Sequence, residues 1–289
     1  MTGAGGTASL PVFAPMLSGD VPGRIAVKPV VGGGRGSGAA GEERVTVTYS
    51  RAGEAAERAS GRTGADGGSA PEAARETAPE AAWEALVATA RRTVTDGLVV
   101  GTSGNVSVRV GDTVLVTPSG VPYDRLAPED ITGVDLDGRQ VLGTLVPTSE
   151  LPMHLAVYRA TDAGAVVHTH AVHATAVSLL VPELPPVHYM TAALGGPVRV
   201  APYATYGTDE LARAMLDALA GRTGCLLKNH GTITYGTSLD QAYDRTAQLE
   251  WMCRLWLTAS SVPGRSPSLL TEEQLAEVAD RLREYGQRS

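Results

Sequence analysis

Cysteine is nearly absent. Cys225 and Cys253 are the only two, far apart and in no CxxC, which excludes a disulfide framework and a cysteine zinc site. Aromatic side chains are scarce too, with Phe13 the single phenylalanine. No apolar run has the length of a membrane span, and the opening MTGAGGTASLPVFAPML lacks the cationic head of an export signal. The expectation is therefore no membrane partner and a cytoplasmic location. Lys and Arg are scattered, with no run longer than Arg91-Arg92, in a chain of formal net charge −7, so there is no basic stripe to neutralise a nucleic acid. A small anion stays open, because backbone N–H groups at a helix start can hold one.

What is present is unevenly spread. Sixteen of the 34 glycines fall in residues 1–80, a stretch with no tryptophan and little from which to build a core. Residues 1–79 read as a low-complexity leader without a fixed fold, save one strand-like run at 44–50, and residues 80–289 as the folded domain. There, PEAAWEALVATARRTVTDGLV predicts a helix from Pro79 that stops at Gly97. VSVRV and TVLVTP form a hairpin turning at Gly111-Asp112, and ITGVDLDGRQVLG a second turning at Asp137-Gly138. SELPMHLAVYRA predicts a helix beginning at Glu150, with Pro152 in its first turn.

A short buried strand follows in GAVVHTH, then helical patterning in AVHATAVSLL and TDELARAMLDALAG, and a second buried strand in CLLKNHG. A long helix runs from Asp240 to about Ser260, and a last one opens at a Thr271-x-x-Gln274 capping box and closes at Gly286. This is an α/β layout with hairpins, neither a simple doubly wound parallel sheet nor a helical bundle.

Half of the six histidines lie between residues 168 and 173. On a strand His168 and His170 point to the same side, which makes a two-ligand half-site. His230, at the end of the second buried strand, and Glu150, at a helix start, could complete three imidazoles and one carboxylate, the donor set of a tetrahedral Zn²⁺ with a replaceable ligand. Each has a plainer role available: paired histidines facing water, Glu150 compensating a helix dipole, His230 a loop residue. His154 is expected on the solvated side of its helix, and His154, His173 and His188 stay outside the metal set. GTSGNVS, TPSG and PTSE place glycines and hydroxyls where backbone N–H groups can hold a phosphate, although turns use the same residues.

Taken together, GTSGNVSVRV, TPSGVPYDRL, PTSE, VVHTHAVH, HYMTAALGG, APYATYGT, KNHG and the terminal EYG resemble the class II aldolase and adducin-head family, in family order over about residues 80–286. HYM and APYATYGT look like its fuculose-phosphate branch. The resemblance implies a central, mostly antiparallel sheet flanked by helices in three layers. It implies one Zn²⁺ per subunit held by His168, His170 and His230, with Glu150 as acid/base and as a ligand of the empty metal. Gly104, Asn105, Ser119, Gly120, Thr148 and Ser149 would cradle a sugar phosphate, Tyr189 and Tyr285 would act near the aldehyde end, and Tyr206 would form a wall.

The implied reaction cleaves a phosphorylated ketose to dihydroxyacetone phosphate and a small aldehyde through a metal-stabilised enediolate, in a homotetramer with sites between subunits. Alternatives are a ribulose-5-phosphate 4-epimerase, whose branch looks to carry Asp at the place of Glu150, and another sugar-phosphate lyase of the superfamily. Outside catalysis, the alternative is an adducin-like, metal-free interaction module. Ser119, Thr148 and Tyr206 depart from the aldolase pattern of Thr, Ser and Phe; only the added phenol of Tyr206 changes the chemistry of the pocket.

Overall fold

The computed structural model describes residues 72–284. Most of the expected leader, the strand-like run at 44–50 and Tyr285 lie outside the described residues. The first helix, α1 (Glu72–Thr95), starts seven residues before Pro79, in an Ala- and Glu-rich run of high helix propensity. Its buried face is Leu86, Val87 and Ala90, whereas Val94 is exposed.

The two expected hairpins are β1 (Asn105–Val110) with β2 (Thr113–Val116), and β3 (Thr132–Asp135) with β4 (Gln140–Leu142). Then follow α2 (Leu151–Ala160), β5 (Ala165–Thr169), α3 (Val172–Leu180), β6 (Glu183–Leu184), β7 (Val198–Ala201) and α4 (Asp209–Leu219). β8 (Gly224–Leu227), β9 (Gly231–Gly236), α5 (Leu239–Ser260) and α6 (Glu272–Glu284) complete the described chain. The expected capping box of α6 is formed: Thr271 N–H donates to Gln274 Oε1, and Gln274 N–H to Thr271 Oγ1.

The strands make one sheet in the order β4-β3-β2-β1-β5-β9-β8-β7-β6. All its pairs are antiparallel except β7 with β8. Strand alternation then divides the core between two helical layers. Val166 packs with Met153 and Val157 of α2 and Met215 of α4, while its neighbours Ala165 and Val167 pack with Leu86 of α1 and Ala242 of α5. Farther along, Leu226 of β8 joins Val177 of α3 and Leu249 of α5. The expected three-layer α/β fold with a mostly antiparallel sheet is thus what the chain adopts.

This alternation positions the site. His168 has the parity of Val166, so it faces the layer containing α2, and Glu150 is the N-cap residue of that helix. β9 pairs with β5 in a register that sets Thr169 opposite Thr232, so Gly231 lies beside the backbone of Thr169 and His170. A Cβ on Gly231 would stand 2.1 Å from Thr169 O and 3.2 Å from His170 Cα, both rigid backbone atoms.

Gly231→Ala should therefore push β5 and β9 apart where His170 and His230 approach. We expect a loss of about 1–3 kcal/mol, the usual range for overpacking, together with weaker metal retention. Urea unfolding and metal titration of the variant check this; wild-type values in both would remove the close approach from the account.

Candidate active site

Glu150, His168, His170 and His230 offer four ligand atoms that all lie within 4.8 Å of one another. The three imidazole centroids form a nearly equilateral triangle with sides of 4.8–4.9 Å, each pair of rings inclined at 72–84°. His168 comes from the end of β5 and His170 from the residue after the strand. His230 comes from the turn between β8 and β9, not from a strand terminus, because β8 already ends at Leu227. In that turn Asn229 has φ 59°. Asn is among the few non-glycine residues that tolerate this region.

The donor set fits a metal for a reason that needs no analogy. His168 Nδ1 lies 2.7 Å from the carbonyl oxygen of Thr232, which only accepts, so Nδ1 carries the proton and Nε2 is left with a lone pair. That Nε2 faces His170 Nε2 at 3.0 Å and Glu150 Oε2 at 3.0 Å. Glu150 Oε1 lies 3.1 Å from His230 Nε2, yet this buried oxygen has no partner in hydrogen-bond geometry. Acceptor atoms so converged call for positive charge between them, which a shared cation supplies. Two ligands of a tetrahedral ion with bonds of about 2.0 Å stand about 3.3 Å apart, close to these spacings.

Burial alone would raise the Glu150 carboxyl, but with no cation between them the charge and hydrogen bonding of His168 and His230 outweigh that and hold it well below the usual carboxylate range. Burial, then the neighbouring His168 and His230, push His170 down to about 4.

The cluster opens on a cavity of about 350 Å³. Six of the residues expected around the phosphate, Gly104, Asn105, Ser119, Gly120, Thr148 and Ser149, lie on its wall with Tyr206, Glu150, His170 and His230. The first turn is pressed onto β5: a Cβ on Gly104, at φ 78°, would stand 2.8 Å from His168 O. Tyr123 holds it from below, donating from its phenol to Gly104 O at 2.7 Å. Thr148 is partly committed, since its hydroxyl accepts from Glu150 N–H at 3.3 Å.

Tyr189 is not on the cavity wall; it is half exposed, its ring 4.4 Å from that of His188. Tyr203 and Asn229 do line the cavity and went unnoticed in the sequence. The signals were a second tyrosine in APYATYGT, and an Asn placed before His-Gly where the chain must reverse.

The expectation for His154 is corrected. Its ring is fully buried, because β1 presents polar partners to the α2 face that the helix pattern alone does not reveal. His154 Nε2 lies 2.6 Å from Asn105 Oδ1, and Asn105 Nδ2 donates to Glu150 Oε2 at 3.0 Å. On the other side His154 Nδ1 lies 2.7 Å from Ser107 Oγ, which in turn lies 2.8 Å from the Tyr158 hydroxyl. His173 stands apart from the metal cluster, held by Glu250 Oε1 at 2.6 Å, and His188 accepts from Met190 N–H.

Known proteins share this fold and sequence. The profile of the Class II Aldolase and Adducin N-terminal domain matches residues 84–257. An L-fuculose phosphate aldolase of Escherichia coli (strain K12) is 43% identical over 194 residues, 66% of this chain and 89% of that relative. A 5-deoxy-D-ribulose 1-phosphate aldolase of Bacillus thuringiensis serovar kurstaki is 37% identical over 207 residues, 71% of this chain and 96% of that relative. A solved L-fuculose 1-phosphate aldolase superposes with a TM-score of 0.68 at 34% identity, covering 70% of this chain and 96% of its own. The chain belongs to the class II aldolase and adducin family and is a metal-dependent aldehyde-lyase of that family. Among the described residues no helix is long and apolar enough to cross a membrane.

Burial, with His168 adding to it, pushes His154 down to about 3 from an ordinary 6.5. A folded-state pKa below the unfolded one means that the unfolded chain binds the proton first as pH falls. The contribution of neutral His154 is therefore complete above about 6.5 and is lost between there and about 3. We expect about 2 kcal/mol of it to be gone at pH 5 relative to pH 8. Urea unfolding of chelator-treated wild type and His154→Gln should show a shallower acid slope in the variant; parallel slopes would reject the assignment.

Proposed function

We propose that this protein is a zinc-dependent aldolase that cleaves a ketose 1-phosphate between C3 and C4. The products are dihydroxyacetone phosphate and a small aldehyde of the L-lactaldehyde kind. The observation that carries the reading is one cavity lined both by a Glu–His₃ cluster, with Glu150 and His168 buried, and by glycine and hydroxyl turns. Three imidazoles and a carboxylate are a donor set suited to Zn²⁺. When bound, the cation supplies Lewis-acid polarisation of the ketose oxygens.

The chain's own residues do the rest. Gly104, Ser119, Gly120 and Ser149 offer backbone N–H groups and hydroxyls to the phosphate, which a protein of net negative charge can hold only by such local donors. This fixes C3 of the ketose beside Glu150. Glu150 removes the C3 proton in the synthetic direction and returns it after cleavage, a general acid/base contribution of roughly 10²- to 10⁴-fold. His168, His170 and His230 hold the cation. Tyr285 handles the proton of the C4 oxygen, and Tyr189 reaches the site from a neighbouring subunit of a homotetramer, which agrees with its place off the wall of its own cavity. The leader to residue 79 takes no part in this chemistry.

The sugar is read from the tyrosine-lined part of the cavity wall. Tyr203 and Tyr206, 63% and 65% exposed, form part of the wall with Ala204. Such a wall suits an aldehyde fragment with an uncharged terminus. L-fuculose 1-phosphate is the first candidate, and a 5-deoxyribulose 1-phosphate the second, favoured by the relative of that name that this chain matches over 96% of its length.

Offered a panel of L-fuculose 1-phosphate, 5-deoxyribulose 1-phosphate and ribulose 5-phosphate, the zinc-loaded protein should release dihydroxyacetone phosphate from the first two and form no epimer of the third. Epimer formation without that release would replace the aldolase reading with the epimerase one.

For the proton step, Glu150→Gln should keep its zinc and lose C3 proton exchange by roughly 10²- to 10⁴-fold. Metal analysis and deuterium incorporation into dihydroxyacetone phosphate measure both. Unchanged exchange would remove Glu150 from the reaction.

A further inference from the structure

Glu150, His154 and Tyr158 recur every four residues and so lie along one stripe of α2. Asn105 and Ser107, two apart on β1, pair with His168 and Val166 and share the sheet face that this stripe covers. Four helical residues advance about 6.0 Å and two strand residues about 6.7 Å, so the two rows keep in step. Their polar side chains interleave into a single unbranched series: Glu150, Asn105, His154, Ser107, Tyr158.

The direction of every hydrogen bond in the series follows from its first member. A carboxylate only accepts, so Asn105 must turn its NH₂ group to Glu150 Oε2 and its Oδ1 to His154. His154 must then carry its proton on Nε2 and accept at Nδ1 from the Ser107 hydroxyl, which leaves Tyr158 to donate to Ser107. Without an N–H at His154 Nε2, the buried Asn105 Oδ1 loses its partner, and the amide is then held only by the carboxylate that it is meant to orient. The clamp also sorts the two carboxylate oxygens. Oε2 is bound, whereas buried Oε1 has no hydrogen bond and is the one available for a proton.

We propose that His154 is a positioning residue for the proton transfer at C3: through Asn105 it fixes the orientation of the Glu150 carboxylate. This rests on the aldolase role proposed for Glu150. Two near-isosteres separate positioning from simple packing. Gln at 154 extends an N–H toward the place of Nε2 and keeps the bond to Asn105; Asn reaches only the place of Nδ1 and keeps the bond to Ser107.

The test compares zinc-loaded wild type, His154→Gln and His154→Asn, each with its metal content and unfolding midpoint measured. One readout is the kcat and KM of deuterium exchange into dihydroxyacetone phosphate; the other is the orientation of Glu150 in crystal structures of the three proteins. The expected result for His154→Asn is full zinc, an unchanged KM, a kcat lower by roughly 10- to 100-fold, and a carboxylate turned away from Asn105. His154→Gln should recover most of the rate and the wild-type orientation. If His154→Asn does not fold, His154→Leu takes its place with the same expectation.

Wild-type exchange in His154→Asn overturns the proposal, as does an unmoved Glu150, or a Gln variant that loads zinc yet recovers nothing over Asn. Should wild type itself exchange no proton, the aldolase reading fails, and the orientation of Glu150 in the variant then decides the positioning role alone.

Discussion

Lone pairs repel when packed together, and this protein packs four lone-pair atoms within 4.8 Å of one another beneath its surface. Everything notable about the local fold serves that convergence. The β5–β9 register brings two backbones so close that only a glycine fits at residue 231. The intervening turn accepts a left-handed Asn229 to bring His230 round. Thr232 O fixes the tautomer of His168, so that the nitrogen facing the centre is the unprotonated one. None of these features improves the apolar core. They cost stability locally, and the three hydrophobic clusters on the two faces of the sheet must offset that cost.

The two faces divide the labour. Helices α1, α3 and α5 cover one side, where the apolar core is interrupted only by hydroxyls that bond to one another or to the backbone, such as Thr234 with Thr246 and Thr169 with Thr232. The other side, under α2 and α4, is apolar over most of its extent and turns polar only toward Glu150, where Asn105, Ser107 and His168 emerge from strands whose neighbouring residues point the opposite way. A strand of period 2 can thus feed a core and a site at once. The part of the cavity wall lined by Gly104 and Gly120 is built differently, from turns in which both glycines have positive φ, because backbone N–H groups can converge only where the chain bends.

Much of this was legible in the sequence, and the parts that were not share one cause. The His168–His170 pair, the two hairpins and the capping box of α6 are written in short-range patterns of two to four residues, and the structure forms them. His154 was misplaced because a histidine on a helix is judged by its own helix, while its burial is decided by Ser107 and Asn105 on a strand more than 40 residues earlier. Tyr203 and Asn229 were missed for the same reason: what makes them cavity residues is the meeting of the β7–α4 and β8–β9 connections, which no local pattern encodes. His230 and Glu150 could be joined to the pair only by supposing a convergence, since the register that produces it lies in the sheet order.

The same distinction bears on what kind of protein this is. The family name covers adducin heads as well as aldolases, and a fold alone does not choose between a scaffold and an enzyme. The energetics do. A buried histidine, asparagine, serine and tyrosine joined to a buried carboxylate add little net stability over apolar side chains of the same volume. Losing any one partner, however, strands the next. A chain under pressure only to keep its shape would gain by replacing the whole series and the three imidazoles with Leu, Val and Met, as it already does at the adjacent Val106 and Val167. That it instead satisfies every polar group from Tyr158 to Asn105, and leaves one oxygen of Glu150 without a hydrogen bond beside three imidazoles, is a departure from stability for which a metal-dependent lyase has a use and a scaffold has none.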